Sequence, residues 1–416
     1  MKPRGRLPRL RAMASMTLTM AALGVAALRA GDGIEARLTD RAPTAEVAGF
    51  AGATTASSSL PLSQGDLRRL LAEAVRESGV PGMVARLATA DSFVASSFGK
   101  RERGAAPAFA VGDPVHVGSC LKAMTATVAA RLVEHGALRW ETTVAEAFPE
   151  LAAGLPGAVG SVTIEELLAH RGGFTDDVPD ELIDEVLSFR GSGRAARERF
   201  VPPYLALQPG GARGAYSYSN LGYMVAGAML ERATGSSYDD LLRRELLMPL
   251  RMRSARQGAP GSNDPARIDA PRGHDADGRP LLPVQQIDPP VIAPAGTWSM
   301  TLADWSSFAL AQAGVPVRGH RLLTAESLAR LQSPVGGPVP ELANAGYGLG
   351  WVVAEANGVL LLLHDGSNEA WLSRVVINPA ADRVLLVSTN QAGAAAEAAL
   401  DRVTLDPRVL GWLVGQ

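Results

Sequence analysis

Strand-like segments stand at both ends of the folded portion with helical ones between them, and this distribution constrains the fold more than any single motif. Near the start, residues 83–88 and 92–98 read as paired strands around a turn at Ala90-Asp91. Near the end, residues 347–354, 359–364, 373–378 and 384–389 are apolar and β-branched with turn residues between, a meander followed by a short helix near 394–403. Apolar residues at helical spacing mark 119–135, 163–169, 181–189, 221–233, 238–246, 301–311 and 324–331. Another helix, with Leu67, Leu70, Leu71, Ala74 and Val75 on one face, precedes the first strands. The simplest architecture joins both sets of strands into one antiparallel sheet flanked by helices, an α/β (α+β) fold. The mostly helical residues 113–335 form a subdomain inserted in the middle, and the cleft between the two is the expected binding site.

Three segments follow along the chain: an export signal over 1–30, a flexible linker over 31–63 rich in Ala, Thr, Ser and Gly, and the folded domain over 64–416. Lys2, Arg4, Arg6, Arg9 and Arg11 supply a basic n-region before an apolar run over 13–28 that is short for a spanning helix. An uncleaved anchor is the alternative; the expected location is periplasmic or secreted. The formal net charge of -2 gives no field to hold nucleic acid or an anionic membrane. Cys120 is the sole cysteine, which rules out an internal disulfide and a cysteine-based metal site. Lysine occurs only at Lys2, Lys100 and Lys122 in a chain otherwise served by Arg. A desolvated lysine can lose its proton near neutral pH and an arginine cannot, which singles out Lys122 in its apolar helix.

The chemistry-bearing residues fall in three places. Ser119 and Lys122 are i and i+3 on a helix, hence neighbours on one face, with Ser119 at the expected helix N-terminus where free N–H groups favour negative charge. A serine hydroxyl needs an adjacent base to become a nucleophile, and a neutral lysine can be that base. Tyr218-Ser219-Asn220 offers a phenol for proton relay and an amide for a substrate carbonyl. His364-Asp365-Gly366-Ser367 ends a strand, with Gly366 allowing close approach of a substrate and a backbone N–H completing an oxyanion hole with that of Ser119.

In order and spacing these residues resemble the serine β-lactamase and penicillin-binding-protein superfamily, in the branch that holds class C β-lactamases, family VIII esterases, D-aminopeptidases and DD-carboxypeptidases. The resemblance runs through HVGSCLKAMTA at 116–126, VTIEELLAHRGGF at 162–174, YSYSNLG at 216–222, PAGTWSMTLAD at 294–304, YGLGW at 347–351 and HDGS at 364–367. It implies Ser119 as nucleophile, Lys122 as its base or electrostatic activator, Tyr218 as a partner in proton transfer and Asn220 as the amide-binding residue. It further implies Ser367 as the second oxyanion N–H, with His364 where β-lactamases commonly carry the lysine of K-T-G.

A histidine there is mostly neutral, and Asp365 beside it adds negative charge unless strand alternation turns it away. Both weaken the case for an anionic β-lactam and leave esters or D-amino-acid amides and peptides. The expected function is therefore a serine hydrolase working through an acyl-Ser119 intermediate on a small-molecule or short-peptide substrate. It needs no cofactor, no nucleic acid and no membrane beyond the export signal. β-Lactamase or DD-carboxypeptidase activity is the alternative, and a non-catalytic peptidoglycan-peptide binder is the alternative of another class. His116, His135, His170, His274 and His320 show no metal-ligand spacing, and 274–277 reads as a solvated turn rather than a metal loop. Cys120 points away from Lys122 and reads as a buried, inert thiol.

Overall fold

A computed structural model describes residues 60–175, 180–207, 210–317, 319–339, 345–356 and 358–415. The export signal and nearly all of the linker lie outside them. The first helix, α1 (Gln64–Ser78), starts where Ser63 Oγ accepts the Asp66 N–H and stops at Gly79, whose φ of 74° is the left-handed cap that glycine takes without strain. Strands β1 (Gly82–Ala88) and β2 (Phe93–Gly99) follow as a hairpin.

The helical middle is organised around α2 (Leu121–Glu134), almost wholly buried. Helix α5 (Asn220–Thr234) packs against it, α4 (Gly193–Leu205) packs against α5, and α3 (Asp180–Ser188) packs against α4. Helix α4 was not expected, because Gly193 at its start and Pro202-Pro203 near its end read as loop. Burial of Ala196, Phe200, Val201 and Leu205 outweighs the prolines, and Arg197 pins the helix to Glu231 of α5 through a buried two-pronged ion pair at 2.7 and 3.0 Å.

The C-terminal meander supplies β3 (Gly346–Tyr347), β4 (Val352–Ala356), β5 (Val359–Ser367), β6 (Leu372–Asn378) and β7 (Arg383–Thr389), then helices α6 (Ala394–Thr404) and α7 (Pro407–Val414). One antiparallel sheet results, in the order β2-β1-β7-β6-β5-β4-β3. The early and late strands meet at β1 and β7, with Met83 opposite Thr389. The sheet architecture read from the sequence is the observed one.

Strand alternation divides the sheet between two cores. Val84, Val375, Val384 and Leu386 face the helical middle, whereas Met83, Ala85, Val376, Leu385 and Val387 face α1, α6 and α7. With both faces covered, β6 and β7 are buried along their whole length. Among the described residues no helix is long and apolar enough to cross a membrane.

Candidate active site

Ser119 sits on a 3₁₀ turn, Gly118–Cys120, one step before α2 rather than at the cap of the α-helix itself. Gly118 has φ +50°. A Cβ there would lie 2.3 Å from Ser367 N, and one on Gly366 would lie 2.0 Å from Val117 O and 2.7 Å from Ser119 N. Backbone therefore packs directly on backbone, and this sets the Ser119 and Ser367 peptide units side by side at the end of β5. Gly366 was expected to admit a substrate. Its bare face is filled instead by the chain's own nucleophile turn. Gly366→Ala is expected to cost at least about 1–3 kcal/mol by overpacking and to lower Ser119 acylation by about 10²-fold or more, read by thermal melting and burst kinetics.

Lys122 is fully buried, and its Nζ donates to Ser119 Oγ at 3.0 Å, Asn220 Oδ1 at 2.7 Å and Ala295 O at 2.9 Å. Three oxygen atoms thus lie around this nitrogen. As a neutral amine it keeps two protons, and the two carbonyl oxygens can only accept. With its two protons on those carbonyls, the lone pair of a neutral amine can turn to Ser119 Oγ, the geometry a general base needs. The same hydrogen bond assigns the Asn220 amide: its oxygen faces Lys122. Asn220 is placed by Ser219, whose Oγ caps α5 by accepting the Gly222 N–H at 2.9 Å. Ala295 lies in the PAGT segment, where only a motif match and no side-chain chemistry marked the carbonyl.

The Tyr218 ring centroid lies 4.8 Å from Lys122 Nζ and 4.3 Å from the ring of His170. His170 holds this corner together. Its Nδ1 accepts the Ser219 N–H at 3.0 Å, and its ring is packed among Tyr216, Tyr218, Tyr223 and Tyr347. Burial, with the charges of Lys122 and His364, holds its pKa well below the usual histidine range. The structure thus brings Ser119, Lys122, Tyr218 and Asn220 together with the Gly366-Ser367 backbone.

His364, expected to bind substrate, has both ring nitrogens engaged by the protein itself. Its ring is buried, Nδ1–H donates to Asp365 O at 2.6 Å, and Nε2 accepts from the Tyr347 hydroxyl at 3.0 Å. Burial and the nearby Lys122 charge hold its pKa down at about 4, so it presents no cation at neutral pH. Asp365 contributes no charge to the cleft either. It points through the opposite face of β5 to Arg374, two contacts of 2.8 Å, and Arg374 also holds Asp401 of α6. Ser367 Oγ accepts the Glu369 N–H at 3.0 Å and closes the turn after the strand.

Cys120 is fully buried with its Sγ against His364 O at 3.2 Å, and burial pushes its thiol well above the usual range, which removes it as a nucleophile. His274, expected in a solvated turn, is fully buried. Its Nδ1–H donates to Asn390 O at 2.7 Å, Nε2 accepts the Arg103 N–H at 3.1 Å, and burial holds its pKa down at about 4. Among the described residues no group of His, Cys, Asp and Glu is arranged to hold a metal ion.

Asn220 also lines a small, largely apolar pocket. The walls are Leu182, Ile183 and Val186 of α3, Phe200 and Tyr204 of α4, Leu221 and Met224 of α5, and Val291 and Ile292.

A family model described as Beta-lactamase matches residues 67–406. Penicillin-binding protein 4 of Amycolatopsis lactamdurans is 29% identical over 323 residues, which cover 76% of this chain and 82% of that one. A D-stereospecific amidohydrolase from Streptomyces sp. superposes with a TM-score of 0.63 at 22% identity, over 80% of this chain and 98% of that one. A beta-lactamase from Sulfitobacter sp. EE-36 superposes with a TM-score of 0.67 at 18% identity, over 85% of this chain and all of that one, 100%. These two structures share the fold, and the family match spans the serine–lysine centre and both strand sets: the chain belongs to the beta-lactamase family of serine hydrolases.

Proposed function

We propose that the protein is an exported hydrolase of small esters or D-amino-acid amides and peptides whose acyl part is apolar. The observation that carries this reading is the 3.0 Å hydrogen bond between Lys122 Nζ and Ser119 Oγ, with two carbonyl oxygens beside it that can hold the protons of a neutral amine. The amine takes the Ser119 proton as Oγ attacks the carbonyl carbon. The N–H groups of Ser119 and Ser367 receive the developing oxyanion. The proton passes to the departing alcohol or amine, with Tyr218 beside the lysine as a relay. Water then cleaves the Ser119 ester and restores the enzyme.

Two features support the substrate class. The uncharged His364 gives a β-lactam carboxylate no cation at that place, and the apolar pocket beside Asn220 suits an acyl chain or a large apolar side chain. The Streptomyces fold relative is a D-stereospecific amidohydrolase, which agrees with the amide branch of this reading. The basic n-region and apolar run at the start support placing the activity outside the cytoplasm.

The test is kcat/KM in one buffer for p-nitrophenyl acetate, p-nitrophenyl butyrate, a D-leucine amide and a cephalosporin. At about 0.8 kcal/mol per buried CH₂, butyrate gains roughly tenfold over acetate. A cephalosporin favoured by roughly tenfold over the butyrate ester would overturn the proposed specificity in favour of β-lactamase activity.

A further inference from the structure

The nucleophile turn is held from behind by groups that do not reach the reacting atoms. His116 is fully buried, and its Nδ1 accepts the Gly118 N–H at 3.2 Å. That acceptance leaves the ring proton on Nε2, which donates to Asp288 Oδ1 at 2.9 Å. The other carboxylate oxygen of Asp288 accepts from Asn368 Nδ2 at 3.3 Å. Asn368 directly follows Ser367, and its amide also donates to Gln286 Oε1 at 3.1 Å, an oxygen that takes the Trp371 indole N–H at the same distance. The His116 carbonyl accepts from Ser373 Oγ of β6 at 2.8 Å, so both ends of the residue are anchored. One carboxylate therefore ties the turn that carries Ser119 to the turn that carries Ser367.

We propose that His116 and Asp288 are positioning residues that set the placement of the Ser119 and Ser367 N–H groups, and with it the rate of acylation. The left-handed Gly118 peptide unit is the joint on which the Ser119 N–H swings, and its own N–H is fixed by the imidazole. An oxyanion site works through donors that are already in place when charge develops. Loss of the brace therefore slows the chemical step and leaves ground-state binding alone. The proposal rests on the serine mechanism above.

The experiment measures burst kinetics with p-nitrophenyl butyrate, fluorophosphonate labelling of Ser119 and thermal melting, on wild type, His116→Phe, His116→Asn and Asp288→Ala. His116→Phe removes both hydrogen bonds and is expected to lower the acylation rate by about 10²-fold, with the Ks read from the burst unchanged. His116→Asn keeps an acceptor for Gly118 while losing Asp288, and is expected to recover about tenfold of that rate. Asp288→Ala is expected to lose about tenfold in the acylation rate at constant Ks, and it decides the matter if His116→Phe does not fold. A folded His116→Phe or Asp288→Ala that acylates as fast as wild type, or whose defect lies wholly in Ks, overturns the proposal. Wild type that takes no label at Ser119 defeats the serine mechanism, and this proposal with it. Labelled wild type with equally labelled His116→Phe removes the proposal alone.

Discussion

Ser119→Ala is expected to abolish covalent labelling by a fluorophosphonate and to lower ester hydrolysis by at least about 10⁴-fold, because no other described group can carry the acyl intermediate. The neighbouring Cys120 thiol is buried on the far side of the turn and cannot substitute. The exchange removes a single oxygen and leaves one Lys122 proton without its acceptor. That costs about 1–3 kcal/mol, well short of the 5–15 kcal/mol that typically holds a domain folded. The variant should therefore melt cooperatively a few degrees below wild type and show no adduct by intact mass. Turnover near the wild-type rate in such a folded variant would end the mechanism.

Lys122→Arg carries the second largest effect. The guanidinium keeps a positive charge but keeps its proton as well, so no lone pair can face Ser119. The loss expected is about 10³-fold in kcat, the scale of general-base catalysis. The site is fully buried and its acceptors, Ser119, Asn220 and Ala295, are spaced for a single nitrogen. A longer planar group also overpacks it, at about 1–3 kcal/mol, so melting is measured beside kinetics. A folded Arg variant within about fivefold of wild type would make Lys122 an electrostatic partner rather than a base, and Tyr218→Phe would then carry the larger defect.

Periodicity made the sheet legible because each strand had to place apolar residues toward a core, and the two ends of the chain had nothing else to pair with. The i, i+3 spacing of Ser119 and Lys122 likewise made the base legible, since helix geometry alone brings them together. Helix α4 was hidden by its prolines, whose local cost is outweighed by burial that no short window reports. The Ala295 carbonyl was invisible for another reason: every residue carries one, and only the fold selects which faces Lys122. His116 looked idle because its partner Asp288 is remote in the chain. His364 and Asp365 were read as one polar unit, but successive strand residues face opposite ways, and the two answer to different cores. Gly366 was correctly singled out as needing a bare backbone, with the wrong neighbour assigned to it.

The pairing of β1 with β7 has a bearing on when this enzyme comes into being. Gly82 O accepts from Thr389 Oγ1 at 2.9 Å, across 307 residues of sequence. A nascent chain thus presents its nucleophile long before the strand that carries Ser367 has been synthesised, and the central sheet cannot close until β7 has left the ribosome. Contacts so distant in sequence also form slowly once the chain is free. Until those contacts form, the turns that carry Ser119 and Ser367 are not brought together, and the chain is not yet a hydrolase.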